Sequence, residues 1–153
     1  MYKFLLLVCL IFSSPSQAND LKATDALLDD LHRYAATGDW DQYFPLFGKN
    51  AIFIGTDAKE YWTLEEFEAF ARKYSGWVYT PQSRQTQFNQ DNTVAWFHEI
   101  VLSEKYGTAR GTGTLLKTAK GWKISQYTLT FPIPNDIAKS VTEQIKSFEK
   151  KEK

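Results

Sequence analysis

Two histidines, His32 and His98, are the only imidazoles in the chain. His98 lies beside Trp96 in a segment of alternating apolar residues, and an unperturbed imidazole pKa near 6.5 suits a general acid or base. The same position also suits a histidine of the core or of an interface. His32 lies late in a predicted helix, near its negative end, where we expect a structural role. Two histidines are too few for a multi-histidine metal site, and no metal site is expected.

Charged side chains supply a second set of candidates. Asp57 and Glu60 follow a predicted buried strand, and two neighbouring carboxylates could act as acid and base. Such residues also make hydrogen bonds in turns and helix caps. We therefore take Asp57, with His98, as a catalytic candidate. Arg110 could hold an anionic ligand or pair with Glu99 on a neighbouring strand.

Aromatic residues are abundant, with 5 Trp, 8 Tyr and 11 Phe. They could pack a core, or they could line a pocket for a flat or apolar ligand, with Tyr and Trp adding polar groups. The candidate ligand-binding residues are Trp40, Tyr43, Trp62, Trp96, His98, Arg110 and Tyr127.

Composition excludes several classes of function. Lys plus Arg equals Asp plus Glu at 18 each, so the chain lacks the basic surface of a nucleic-acid-binding protein. Cys9 is the only cysteine and lies in the N-terminal leader, which excludes thiol catalysis and zinc–thiolate sites from the mature chain. The glycines of Arg110-Gly-Thr-Gly113 do not have the spacing of a phosphate-binding loop and more simply let a strand bend. No cofactor is expected.

Residues 1–18 are predicted to be a cleaved signal peptide. Lys3 precedes an apolar run, and Ser16 and Ala18 supply the small side chains of a cleavage site after Ala18. A membrane anchor is the alternative, but the nine apolar residues span roughly 14 Å, about half of the hydrocarbon core. A lipid anchor at Cys9 fits poorly, because Val8 stands where a small residue is required. We expect a secreted protein, most simply a periplasmic one, that is free of the membrane after cleavage.

Helical patterns dominate the first half of the mature chain. Apolar residues at helical spacing predict a helix over 20–37 that Gly38 ends, and a second short helix over 39–47 that Pro45 kinks or restricts to one turn. A short buried strand over 51–54 follows. Thr63 and Glu66 have the spacing of a capping box and predict a helix that ends near residue 74.

From Trp77 the pattern changes to alternation. Four strands are predicted, over 77–89, 92–103, 107–118 and 122–131, and their short connections indicate an antiparallel meander. Asn135 is a suitable N-cap for a final helix over 136–149. The order of elements predicts an α+β fold in a single domain.

The second meander strand carries apolar residues on both faces. Trp96, His98 and Ile100 share one face, and Phe97 and Glu99 lie on the other. The early helices can cover one face, which leaves the other for a partner subunit or for the C-terminal helix. We expect a homodimer.

Four segments together resemble the SnoaL-like domains of the nuclear transport factor 2-like superfamily. The segment Phe53–Trp62 looks like the region after their first strand. Residues 110–117 and 121–124 are similar to their last two strands, and residues 126–138 resemble the end of a secreted bacterial subgroup. The match covers about residues 30–138, within a single domain over 19–153.

The resemblance implies a cone-shaped α+β fold, in which a curved antiparallel sheet wraps around N-terminal helices. The predicted C-terminal helix is an addition to this minimal fold. The resemblance also implies homodimers, but no single activity. The leading hypothesis is that the interior of the cone binds a small apolar or aromatic molecule. The alternatives are a cofactor-independent enzyme of proton-transfer chemistry, such as an isomerase, cyclase or dehydratase, and a dimeric interaction module with a filled interior.

Overall fold

A computed structural model describes residues 15–151 of the chain. The order of elements along the chain is helices first and a meander after, with one strand pair between them. The elements are α1 Pro15–Thr37, α2 Trp40–Tyr43, a 3₁₀ turn Phe44–Leu46, β1 Phe47–Ile54, β2 Tyr61–Thr63, α3 Leu64–Ala71, β3 Thr80–Phe88, β4 Val94–Ser103, β5 Gly107–Thr118, β6 Gly121–Thr130 and α4 Asn135–Glu149. Most of the predicted signal peptide, residues 1–14, lies outside the described residues.

One curved, unclosed sheet contains all six strands in the order β2-β1-β6-β5-β4-β3. The predicted antiparallel meander over β3–β6 is confirmed. β1 joins it in parallel beside β6, with Phe53 opposite Tyr127, and β2 adds an antiparallel edge. The α+β fold with a curved sheet around N-terminal helices is therefore confirmed.

The structure corrects three element bounds in the first half of the chain. α1 begins at Pro15 instead of residue 20. The short helix ends at Tyr43, because Pro45 lies in a 3₁₀ turn, and β1 already begins at Phe47, where it pairs with Ile124. β2 was not predicted, since three residues with two exposed ends give no recognisable alternation.

Helix caps decide the starts of the two later helices. The predicted capping box is confirmed: the Thr63 hydroxyl accepts from the backbone N–H of Glu66, and the Glu66 carboxylate accepts from the backbone N–H of Thr63. Asn135 is the first residue of α4 and not its cap, because Pro134 occupies the cap position. No residue of α4 is buried, and its Ile137, Ile145 and Phe148 side chains are exposed.

The helices cover the concave face of the sheet. α1 lies against β3 and β6, and α3 lies against β1 and β2. The inward side chains of β4 are fully or almost fully buried, among them Phe97 and Glu99. On the outer face, Trp96 and Leu102 keep nearly half of their surface exposed. Within residues 15–151, α4 therefore does not cover the outer face.

The start of α1 is attached to the far end of the meander by Asp20. One Asp20 oxygen accepts from the Trp122 indole N–H at 3.0 Å and from the Lys117 ammonium at 2.7 Å. The Lys117 hydrogen bond, opposed by burial and assisted by Trp122, lowers the pKa of Asp20. Residues 17–19 are exposed, and Asp20 directly after them is buried. Between residues 15 and 151, no helix combines the length and the apolar character that crossing a bilayer requires.

Candidate functional site

A cleft of about 660 Å³ opens at one end of the concave face. Its walls come from the β1–β2 region, α3, the segment before β3 and the turn between β4 and β5. Nine aromatic side chains dominate the lining: Phe53, Trp62, Phe67, Phe70, Tyr74, Trp77, Tyr79, Tyr106 and Phe131. A concave site with mostly apolar walls and few polar groups is the usual form of a small-molecule site.

Strand pairing and the α3 cap place these rings. Trp62 stands opposite Phe53 across the β1–β2 ladder. The capping box then turns the chain directly into α3, whose Phe67 stacks on Phe53 with ring centroids 3.8 Å apart and planes 12° apart. The Trp62 ring is also nearly parallel to Phe67. The result is a wall of parallel aromatic faces.

A second cavity of about 30 Å³ adjoins the cleft. Phe53, Trp77, Tyr79 and Leu129 line both spaces, whereas His32, Tyr43 and Tyr127 line only the small cavity. A cavity of this size holds a water molecule or a group of similar size. The cleft thus leads to a small space with polar side chains in its wall.

Glu99 lies behind that wall and is fully buried. Its Oε1 accepts from His32 Nε2 at 2.8 Å and from the Tyr127 hydroxyl at 2.9 Å. Its Oε2 accepts from Arg84 Nε at 2.9 Å. Three donors from α1, β3 and β6 therefore meet on one carboxylate.

Electrostatics keep this carboxylate ionised. Burial alone raises the pKa of Glu99, but the hydrogen bond and charge of His32, with Arg84 and Tyr127, outweigh burial and bring the pKa below its ordinary value. Burial and the Glu99 charge raise the pKa of the Tyr127 hydroxyl well above its ordinary value. Tyr127 therefore stays protonated and donates a hydrogen bond to Glu99.

Backbone register brings the cluster together. Across its two neighbouring strands, Glu99 stands opposite Arg84 on one side and Gly111 on the other. A Cβ atom at position 111 would collide with the Tyr127 hydroxyl and lie 2.9 Å from a Glu99 oxygen. The glycine therefore leaves room for the Tyr127–Glu99 hydrogen bond, in addition to any role in bending the strand.

Arg84 connects the cluster to the surface of α1. Its Nη1 donates to Asp29 at 3.0 Å and to the backbone carbonyl of Asp25 at 3.2 Å. Its side chain is 10% exposed, and its Nη2 is buried without a partner among residues 15–151. Glu99 pairs with Arg84 and not with Arg110, which is exposed on the outer face.

The structure places the predicted ligand-binding residues in three locations. Tyr43 and Tyr127 line the small cavity, and Trp62 lines the cleft. Trp40 lies behind this wall: it packs on Trp77 at 4.8 Å and donates its indole N–H to the Tyr74 carbonyl. Trp96, His98 and Arg110 instead belong to the outer face of the sheet, as the burial pattern of β4 and β5 shows.

The predicted catalytic candidates do not meet. His98 is on the opposite face of β4 from Glu99. The Asp57 carboxylate accepts from the backbone N–H of Lys59 in an exposed turn. Glu60 does line the cleft, while its carboxylate accepts from the backbone N–H of Asp57. The titratable side chains beside the small cavity are instead His32, Tyr43, Tyr79 and Tyr127.

Sequence reasoning missed Glu99, His32 and Arg84 as a site. One signal could have found them: Glu99 interrupts an otherwise apolar face of β4, and a charged residue in such a position must have partners. In the described part of the chain, no three His, Cys, Asp or Glu side chains are grouped so that they could hold a metal ion.

Comparison with known families identifies the domain. The family model described as SnoaL-like domain matches residues 25–134. The chain belongs to the SnoaL-like domain family. The resemblance proposed from the sequence is thereby confirmed, and the matched range agrees with the predicted core over about 30–138.

Solved structures similar to this SnoaL-like domain share its fold at low sequence identity. A proposed scytalone dehydratase from Novosphingobium aromaticivorans is 12% identical with a TM-score of 0.68, over 79% of this chain and 89% of that one. A proposed dehydratase of the nuclear transport factor 2-like family from Streptomyces avermitilis is 10% identical with a TM-score of 0.65, over 77% and 99%. A nuclear transport factor 2-like protein of unknown function from Pseudomonas putida is 10% identical with a TM-score of 0.64, over 78% and 90%. No curated protein matches the sequence.

The Glu99 cluster predicts a pH-dependent loss of stability in Glu99→Gln. The variant removes the buried charge that Arg84 faces, so its free energy of unfolding at pH 7 should fall by about 3 kcal/mol. Because the folded-state pKa of Glu99 is lowered, its contribution is present above the unfolded value of about 4.3 and is lost as the pH falls through the folded value. Urea denaturation from pH 7 to pH 3 measures the difference, which should shrink on acidification.

Glu104→Gln is the matched control, since Glu104 follows β4 on the surface. Its effect should stay within about 0.5 kcal/mol at every pH. A Glu99→Gln difference as small as that of the control, or one that grows on acidification, would contradict an ionised Glu99.

Proposed function

We propose that this SnoaL-like domain is a secreted protein that binds a small aromatic or apolar molecule in its cleft. The observation that carries the proposal is the aromatic wall of a cleft of about 660 Å³. A filled interior, as an interaction module would have, is disfavoured by the same observation.

The chemistry of the lining indicates the class of ligand. Phe53, Phe67 and Trp62 offer nearly parallel faces, and Trp77 adds a further ring. Rings of this kind favour offset stacking with a flat ligand and bury its apolar surface. Charged groups stand at the rim, where Lys105 lies over the exposed Tyr106 ring. The interior therefore suits an apolar body, and the rim suits contact with water.

The start of the folded part supports secretion with cleavage after Ala18. Asp20 is bonded to Trp122 and Lys117, whereas residues 17–19 are exposed. Cleavage there would remove the exposed residues 17 and 18 and would retain the Asp20 contacts.

A proton-transfer enzyme is the second candidate. The observation that favours it is the small cavity beside the cleft, where the wall includes His32 and Tyr127, both held by Glu99. An imidazole oriented by a buried carboxylate is a competent general acid or base. Two structurally similar proteins are described as proposed dehydratases. Conversion of a bound molecule, followed by its mass, would distinguish an enzyme from a binding protein.

A homodimer through the outer sheet face is proposed as well. Trp96, Leu102 and Leu116 are 41–46% exposed there, and a second copy would bury them. Sedimentation velocity should report a dimer, and Leu102→Glu should dissociate it because a charge would enter the interface. A wild-type monomer at high protein concentration would refute the proposal.

Binding is tested with propylbenzene, a small aromatic molecule without a polar group. ¹H–¹⁵N NMR of the tryptophan indole groups should show saturable shifts, with Trp77 among the signals that move. Trp62→Ala removes one face of the cleft and should weaken binding at least about tenfold. The Trp96→Ala variant removes a tryptophan from the outer face and should bind as the wild type does.

Two results would refute the binding proposal. One is the absence of any saturable shift up to the solubility limit of propylbenzene. The other is an equal loss of affinity in the Trp62→Ala and Trp96→Ala variants, because a non-specific hydrophobic association would not distinguish the two faces.

A further inference from the structure

We propose that the small cavity beside the cleft receives a hydroxyl group, so that the ligand is a hydroxylated aromatic molecule of the phenol type. The inference rests on the proposed binding function and specifies its ligand. The hydrogen atoms and lone pairs around the cavity that form no hydrogen bond within the protein determine which group fits there.

The Tyr127 hydroxyl and the His32 Nε2 atom both form hydrogen bonds with Glu99. An ionised carboxylate only accepts hydrogen bonds, so the Tyr127 hydroxyl and His32 Nε2 must both donate to it. What Tyr127 still offers is the lone pairs of its oxygen. This part of the cavity wall therefore accepts hydrogen bonds.

Tyr43 supplies the complementary donor. Its side chain is 2% exposed, and its ring lines the same cavity. Among the residues that the structure describes, its hydroxyl has no hydrogen-bond partner; its contacts are with other rings. Burial raises the pKa of Tyr43 well above its ordinary value, so the hydroxyl keeps its proton. It also lies close enough to Tyr127 to affect the pKa of that residue.

A hydroxyl on a buried side chain usually forms a hydrogen bond, because leaving it unpaired costs free energy. The Tyr43 oxygen is not sealed within protein atoms, so it can bond to a group in the cavity. Tyr43 therefore indicates that something else occupies the cavity, either water or a group of a ligand. The volume of about 30 Å³ admits one hydroxyl but no ring, so the ring of the ligand must remain in the adjoining cleft.

The combination of donor and acceptors selects the group. A hydroxyl can accept a hydrogen bond from Tyr43 and donate one to the Tyr127 oxygen, as a water molecule in the same place would. A carbonyl can only accept hydrogen bonds, so it would leave the acceptor lone pairs of the Tyr127 oxygen without a donor. A carboxylate would bring a second negative charge next to Glu99. An ammonium group cannot accept from Tyr43.

The test compares three ligands that differ only in this group: 4-propylphenol, 4-propylanisole and propylbenzene. The indole NMR titration measures the affinity of each for the wild-type protein. 4-Propylphenol should bind at least about tenfold tighter than propylbenzene, because two hydrogen bonds form in a buried site. 4-Propylanisole should lose this advantage, because its oxygen cannot donate and its methyl group does not fit the cavity.

Tyr43→Phe is the decisive variant. It should lower the affinity for 4-propylphenol to about that of propylbenzene and leave the affinity for propylbenzene unchanged. Tyr61→Phe is the matched control: Tyr61 is exposed and lines neither the cleft nor the small cavity, so its hydroxyl is dispensable for the preference. The melting temperature of the Tyr43→Phe variant should equal or exceed that of the wild type, since the deleted hydroxyl makes no bond within the described chain.

The possible results distinguish a failure of the phenol inference from a failure of the proposed binding function. Equal affinities for 4-propylphenol and propylbenzene would overturn the inference and leave the binding function standing. A preference for 4-propylphenol that persists in Tyr43→Phe would also overturn it. If none of the three ligands binds, the proposed function and the inference fail together.

Discussion

The buried negative charge of Glu99 organises the interior of this domain. Glu99 has no exposed surface, and an isolated carboxylate in that position would be neutral. It remains ionised because hydrogen bonds from His32, Arg84 and Tyr127 reach its two oxygens. Since these residues come from α1, β3 and β6, the charge fixes how the first helix sits on two strands that are far apart in the sheet. The same bonds determine which atoms face the small cavity, and hence what the cavity can recognise.

The aromatic cleft depends on a different part of the chain. Its wall is built where β2 turns back on β1 and the capping box of Thr63 starts α3. The two regions meet at residues such as Phe53, which stacks on Phe67 in the cleft and on Tyr127 beside the cavity. An apolar wall and a small polar end are thereby combined in one site. Neither region by itself would specify a ligand.

Much of the fold could be predicted from the sequence, because its signals are local. Alternation after Trp77 gave the meander, and the spacing of Thr63 and Glu66 gave the start of α3. β2 was missed because its three residues have no periodicity, and the parallel pairing of β1 with β6 has no local signal at all. The family resemblance rested on the order of these segments, and the SnoaL-like match supports it.

The site was less predictable, because one residue of register separates a buried side chain from an exposed one. Tyr43, Trp62 and Tyr127 were identified as aromatic candidates and do line the cleft or the cavity. His98 was preferred to Glu99 because a histidine beside tryptophan resembles acid–base chemistry. Both faces of β4 are largely apolar, so the alternation alone did not show that the helices cover the face of Glu99. His32 could be recognised only through its contact with a residue 67 positions away in the sequence.

The ionisation of Glu99 can be measured directly. ¹³C NMR of the glutamate side-chain carboxyl groups, with the Glu99 signal assigned by its loss in Glu99→Gln, follows its protonation as the pH is lowered. Glu99 should be ionised at pH 5 and should titrate with a midpoint below the ordinary value of about 4.3. A Glu99 carboxyl that is protonated at pH 5 would contradict this prediction, because burial would then outweigh the three hydrogen bonds and the donor and acceptor pattern of the cavity would differ.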